Sequence, residues 1–198
     1  MPPVRSGRGI SDEWGRGRPG CRVTQSVELL LDAASEAAVL AEWDRLAEAS
    51  LPTERRVDPS PTHRPHVTLW AGAQVAAEVD AALPALVGGL ALPLRLGALL
   101  VFGPRRGRLV VVRQVVVSAA LLALQARVAA ACGVEDDSHF APGRWTPHVT
   151  LARRVPVEEL GAVVQALGEV DDLETVVGAC RRWDGDAKVA WTLAPPGP

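Results

Sequence analysis

Cysteine, lysine, tyrosine and long apolar runs are scarce in this sequence, and each scarcity closes a route. The three cysteines, Cys21, Cys132 and Cys180, are far apart and odd in number. No Cys-x-x-Cys pair or Cys/His cluster occurs, which argues against zinc and against a disulfide framework and fits a reducing cytoplasm. Residues Met1 to Gly20 lack the apolar centre of a secretory leader. The stretch Leu83 to Val101 is apolar, but Pro84, Gly88, Gly89, Pro93, Arg95 and Gly97 interrupt it, so no membrane span is expected. Lysine occurs once, at Lys188, and the formal net charge is −2. That balance argues against a protein that coats long duplexes through a basic face, and leaves room for a small anionic ligand held by local arginines. With no tyrosine and two phenylalanines, each remaining aromatic carries more weight than usual.

The chain has 198 residues, 48% hydrophobic and 22% charged, an ordinary soluble balance with enough length for one cored domain or two small lobes. Nothing in it demands more than a monomer. Residues 1–21 are rich in Gly, Pro and Arg and read as a disordered tail, either a plain solvated extension or a basic arm that touches nucleic acid. The folded part is expected over 22–194, with 195–198 a short C-terminal tail.

Within the folded part, Gln25 to Leu31 reads as a strand and Ser35 to Ala49 as a helix with apolar periodicity. A turn-rich loop follows, then a short strand from His66 to Trp70. Gln74 to Val87 reads as a helix disturbed at Pro84. Leu92 to Phe102 and Arg108 to Val117 form a strand pair around a turn at 103–107. Ser118 to Cys132 is a helix with Ser118 as N-cap and Gly133 as its stop. After a polar loop and a second short strand at His148, Val157 to Leu167 is helical. Leu173 to Trp183 and Lys188 to Leu193 close the chain as a strand pair. Each half thus runs strand, helix, short strand, helix, strand pair, with Arg108 to Val117 expected to serve both halves. This order predicts an α+β fold of two similar lobes.

The feature that points to function is a string that occurs twice. Pro65-His66-Val67-Thr68-Leu69 returns as Pro147-His148-Val149-Thr150-Leu151, and two of the chain's four histidines stand in it. Such self-similarity suggests one site built from two halves. On a strand, residues i and i+2 share a face, so His66 and Thr68 point one way while Val67 and Leu69 point to a core; His148 and Thr150 behave alike. If the two strands meet, two imidazoles and two hydroxyls converge. One neutral imidazole can take a proton from an attacking hydroxyl or water, and a charged one can return a proton to the leaving oxygen. The threonines can donate to non-bridging phosphate oxygens. Phosphoryl transfer needs no metal or other cofactor in this arrangement.

The paired Pro-His-Val-Thr-Leu strings resemble the signature of the 2H phosphoesterase superfamily. Trp145 to Arg153, and Leu99 to Gly103 before a Val-rich strand, resemble its 2′-5′ RNA ligase (LigT-like) and cyclic phosphodiesterase branch. The resemblance spans about residues 23–194. It implies a bilobal fold, two similar lobes of antiparallel sheet with helices outside and both motifs lining a central cleft. It implies RNA ends or cyclic nucleotides as substrate: hydrolysis of 2′,3′-cyclic phosphates to 2′-phosphates, or reversible 2′-5′ joining. His66 and His148 would then be acid and base, and Thr68 and Thr150 the phosphate grip. A binding module of the same fold with little turnover, and a phosphodiesterase for a non-RNA substrate, stand as alternatives.

Around the motifs, Arg64 and Arg144 with Trp145 occupy equivalent loops and are candidates for substrate binding, as are Phe102 and Arg153. His63 and His139 read as surface-loop histidines, with a part in binding phosphate or base as the alternative for each. Trp70 shares the motif face but is expected in the core, and Trp43, Trp183 and Trp191 read as core as well.

Overall fold

A computed structural model of the chain describes residues 25–89 and 91–194. The expected tails, 1–21 and 195–198, lie outside the described residues, as do 22–24.

The elements follow in the order β1 (Gln25–Leu31), α1 (Ala33–Glu48), β2 (His66–Gly72), α2 (Ala77–Val87), β3 (Pro93–Arg105), β4 (Arg108–Val115), α3 (Ala119–Ala131), β5 (His148–Pro156), α4 (Leu160–Leu167), β6 (Leu173–Asp184) and β7 (Val189–Ala194). A 3-10 turn, Val157–Glu159, leads into α4, so the helix expected from Val157 is split. Local chemistry sets the helix ends. Asp32 caps α1 by accepting from the Ser35 N–H at 2.8 Å, and the Ser118 hydroxyl accepts from Leu121 N–H at 3.1 Å at the start of α3. Gly133 and Gly168 follow α3 and α4 with φ of +72° and +69°, conformations that favour glycine. Pro84 lies inside α2 without ending it.

All strand pairings are antiparallel, in the order β2-β1-β6-β3-β4-β5 with β7 also on β6. The architecture is therefore α+β. β1, β2, the far part of β6 and β7 make one lobe; β3, β4 and β5 make the other. β4 pairs with β3 of the first half and with β5 of the second, so it closes one half and opens the other as expected. The strand shared between the two lobes is β6. Its residues Leu173 to Val176 pair with β3 and Val177 to Asp184 with β1. At this switch Gly178 is needed, because a Cβ there would lie 2.4 Å from the Leu31 carbonyl oxygen. The turn expected over 103–107 is shorter than that: β3 runs to Arg105, and Arg106 and Gly107, both at positive φ, turn the hairpin.

The helices also cross between halves. α1 packs against α4 and β5, and α3 packs against α2 and β2. Arg113 of β4 grips both carboxylate oxygens of Glu42 on α1, and its Nη1 donates to the Asp171 carbonyl at 2.7 Å. Both side chains are buried, so losing one partner would strand a charge and cost about 3–5 kcal/mol. The apolar core is continuous through the molecule, from Val27 and Leu29 on β1 to Val149 and Leu151 on β5. Trp183 and Trp191 are exceptions to the expected core set. Trp183 is half-buried, and Trp191 is exposed with the Arg182 guanidinium 5.4 Å over its ring. Among the described residues no helix is long and apolar enough to cross a membrane.

Candidate active site

The motif strands β2 and β5 end opposite margins of the strand order, yet they touch each other because the sheet folds back on itself. Alternation holds at the start of each. Val67, Leu69, Val149 and Leu151 are fully buried, while His66, Thr68, His148 and Thr150 are half-buried on the opposite face. It then breaks at the same point in both. Glu28 pairs with Thr68 but Val27 with Trp70; Val112 pairs with Thr150 but Val111 with Ala152. Leu69 and Leu151 are thus equivalent bulge residues, and each bulge turns the next side chain, Trp70 or Ala152, into the core. Trp70 consequently leaves the face of His66 and Thr68 that simple alternation gave it.

Each bulge is clasped from the other half of the chain. Trp145, in the loop before β5, donates its indole N–H to the Thr68 carbonyl at 3.0 Å. Trp43 on α1 donates to the Thr150 carbonyl at 3.0 Å. Two tryptophans from unrelated positions do the same work, and together they hold the motif strands side by side.

The imidazoles are prepared alike. His66 Nδ1 donates to the Arg64 carbonyl and His148 Nδ1 to the Thr146 carbonyl, both at 2.7 Å. A carbonyl can only accept, so in each ring Nδ1 carries the proton and Nε2 is left for chemistry.

Their neighbours differ. Glu28 of β1 places Oε1 3.7 Å from His66 Nε2, a counter-charge without a hydrogen bond. Burial alone would raise the Glu28 carboxyl, but His66, Arg181 and the Ser26 hydroxyl outweigh it and hold it below its usual value of 4.5. Arg181 Nε donates to Glu28 Oε2 at 2.8 Å, and its Nη1 to the Thr62 carbonyl at 2.8 Å. The position matching Glu28 beside the second motif is Val112. His148 instead meets the Phe102 ring edge-to-face at 4.9 Å. Burial first, and then the charges of Arg153 and His66, push His148 below its usual value of 6.5.

A cleft of about 890 Å³ opens beside the motifs. His66 and Thr150 line it, together with the loop from Thr53 to Pro65, Arg153 and Arg154 of β5, and Arg181 to Lys188 around the β6–β7 turn; Thr68 and His148 are not part of its lining. The loop wall is tied down: Thr53 Oγ1 donates to the Trp43 carbonyl at 2.9 Å, and the Glu54 N–H to the Leu151 carbonyl at 3.0 Å. Of the expected binding residues, Arg153 lines the cleft, pairs with Glu54 at 3.0 Å and reaches Thr150 Oγ1 at 3.4 Å. Arg64 lines it too, but its Nε and Nη2 are held by Glu36. Phe102 is not in the cleft lining and packs against the His148 ring. Trp145 is a structural clasp, and Arg144 is exposed outside the cleft lining. His63, expected on the surface, is half-buried in the cleft wall, tilted against Trp43 with ring centroids 5.2 Å apart. His139 is not in the lining. Glu28 and Arg181 were missed; the signal for Glu28 was a lone carboxylate inside the apolar run Val27 to Leu31. Among the described residues no group of three or more His, Cys, Asp or Glu side chains gathers as a metal site would need.

The model of the 2′-5′ RNA ligase superfamily matches residues 34–188 of the chain. The chain belongs to this superfamily. Its fold is similar to that of the Thermus thermophilus protein TT0787, at 20% identity and a TM-score of 0.55 over 86% of this chain and 94% of that one. It is also similar to Kluyveromyces marxianus Usb1, at 12% identity and a TM-score of 0.53 over 87% and 98%. Escherichia coli LigT complexed with 3′-AMP aligns at 17% identity over 80% and 84%, with a TM-score of 0.47. No curated protein sequence matches this superfamily member.

Proposed function

We propose that this superfamily member is a metal-independent phosphoesterase that hydrolyses 2′,3′-cyclic phosphate ends of RNA or nucleotides to 2′-phosphates. The observation that carries the reading is the matched pair of imidazoles, each with Nδ1–H committed to the carbonyl two residues upstream and Nε2 free. Their unequal surroundings divide the roles. His148, kept neutral by burial and by the nearby cations, is the base; His66, facing the Glu28 carboxylate, is the acid.

In this scheme His148 Nε2 takes a proton from water as the oxygen bonds to phosphorus. The bond from phosphorus to the 3′ oxygen breaks, and His66, which enters the step as an imidazolium with a second proton on Nε2, delivers that proton to the oxygen, leaving a 2′-phosphate and a neutral His66 beside a protonated His148. Thr68 and Thr150 donate to the non-bridging oxygens, and Arg153, already at Thr150, adds positive charge there. The same groups perform 2′-5′ joining when an RNA 5′-hydroxyl takes the place of water.

The test is incubation of the purified protein, in EDTA, with each 2′,3′-cyclic mononucleotide. A 2′-phosphate product that disappears in His66→Ala and His148→Ala supports the reading. Saturable binding without turnover would make the protein a binding module instead, and neither would point to a non-RNA phosphodiester.

A further inference from the structure

The cleft is larger and more basic than the reacting phosphate requires. Its volume of about 890 Å³ lies near the top of the range for small-ligand sites, roughly 300–1,000 Å³. Seven cationic side chains line it against two carboxylates, in a chain whose net charge is −2. Four of the cations are already engaged: Arg55 with Asp44, Arg64 with Glu36, Arg153 with Glu54 and Arg181 with Glu28. The other three, Arg56, Arg154 and Lys188, have no carboxylate partner among the described residues. They come from three separate segments: the wall loop, the end of β5 and the β6–β7 turn.

Two of the three stand where the backbone favours glycine. Arg154 has φ +59° and Lys188 φ +57°. Arg154 is the extra residue of a second bulge in β5, since Leu109 pairs with Val155 and Val110 with Arg153. That bulge puts Arg153 and Arg154 both on the cleft, where strict alternation would send one away. Arg154 lies four residues past Thr150, so strand rise puts its Cα roughly 10–13 Å from the phosphate grip, about a nucleoside's length once the side chain reaches back.

We propose that Arg154 and Lys188, with Arg56, form a second phosphate subsite that takes the 5′-phosphate of the nucleotide whose cyclic phosphate reacts between the motifs. This rests on the hydrolytic reading above and sharpens it: the substrate carries a second phosphate, supplied by the upstream linkage of an RNA end, and a bare cyclic nucleoside monophosphate fills only part of the cleft.

The test compares three product-like probes by titration calorimetry at two salt concentrations: adenosine 2′-phosphate, adenosine 2′,5′-bisphosphate, and the dinucleotide ApA bearing a terminal 2′-phosphate. The wild type should bind the last two about tenfold tighter than the first, with a steeper loss in salt. The double variant Arg154→Gly with Lys188→Gly should bring all three within about threefold. Glycine suits both backbones, so its melting temperature should not fall. A bisphosphate bound tightly alongside a weakly bound dinucleotide would keep the subsite and make a free nucleotide its occupant. An equal affinity for all probes in the wild type, or an undiminished gap in the variant, overturns the subsite. The two readings separate cleanly: a binding gap without cyclic-phosphate turnover leaves the subsite standing and removes hydrolysis, whereas turnover without the gap does the reverse.

Discussion

The two motif strands share a sequence, a bulge, an indole clasp and an imidazole tautomer, and they differ in charge. His66 faces a buried carboxylate held by Arg181, whereas His148 faces an aromatic edge and a cation, with Val112 where the carboxylate would be. The lesson is that backbone geometry follows the repeated string, while the charge and packing around each ring follow the neighbouring strand. An acid–base pair needs imidazoles in unlike surroundings, because identical ones would favour the same protonation state.

Breaking the pair itself should have the largest effect. His66→Ala and His148→Ala should each lower kcat on a cyclic phosphate by about 10²–10⁴-fold with the melting temperature little changed. A wild-type rate in either variant would end the paired acid–base reading. The shared phosphate grip comes next. Thr68→Ala and Thr150→Ala should each raise the barrier by about 1.5–3 kcal/mol, the worth of one charge-assisted hydrogen bond, seen in single-turnover rates.

The difference between the lobes is tested by Glu28→Gln, which keeps the shape but removes the charge facing His66 and turns one acceptor oxygen into a donor amide. Turnover should fall about tenfold with KM nearly constant. An equal rise in KM would mean that Glu28 shapes the cleft rather than the acid. On the other side, His148 titrates below 6.5, so the acidic limb of the kcat/KM profile should have its midpoint below pH 6.5. Arg153→Ala removes a cation that opposes protonation, and the limb should move to higher pH by up to about one unit. Stability shifts in the same sense. The unfolded chain binds this proton more readily, so His148 subtracts stability as pH falls through 6.5 toward its folded value and contributes nothing above it.

The smallest effects concern what the lobes share. Trp43→Phe and Trp145→Phe each remove one indole hydrogen bond to a motif bulge and should cost about 1 kcal/mol, a few degrees in melting temperature. Similar losses in both would support a symmetric clasp, and a loss in only one would make the motif strands unequal in support as well as in charge.

Much of this was legible locally. Alternation in Pro-His-Val-Thr-Leu placed the histidines and threonines on one face, and Ser118 and Gly133 marked the ends of α3, because strand pleat and helix capping are set by residues a few positions apart. Trp70 lies in the core as expected, but the bulge that turns it there is a property of the pairing with β1 and has no local signal. Tertiary structure alone decided the rest. Arg181 reaches Glu28 from 153 residues away, Trp145 reaches Thr68 from 77, and β6 crosses from one lobe to the other at Gly178. The sequence by itself determined the repeated motif and the face its histidines and threonines share; the unlike surroundings of the two imidazoles were left to the fold, because the field at a ring nitrogen comes from charges that only packing brings near it.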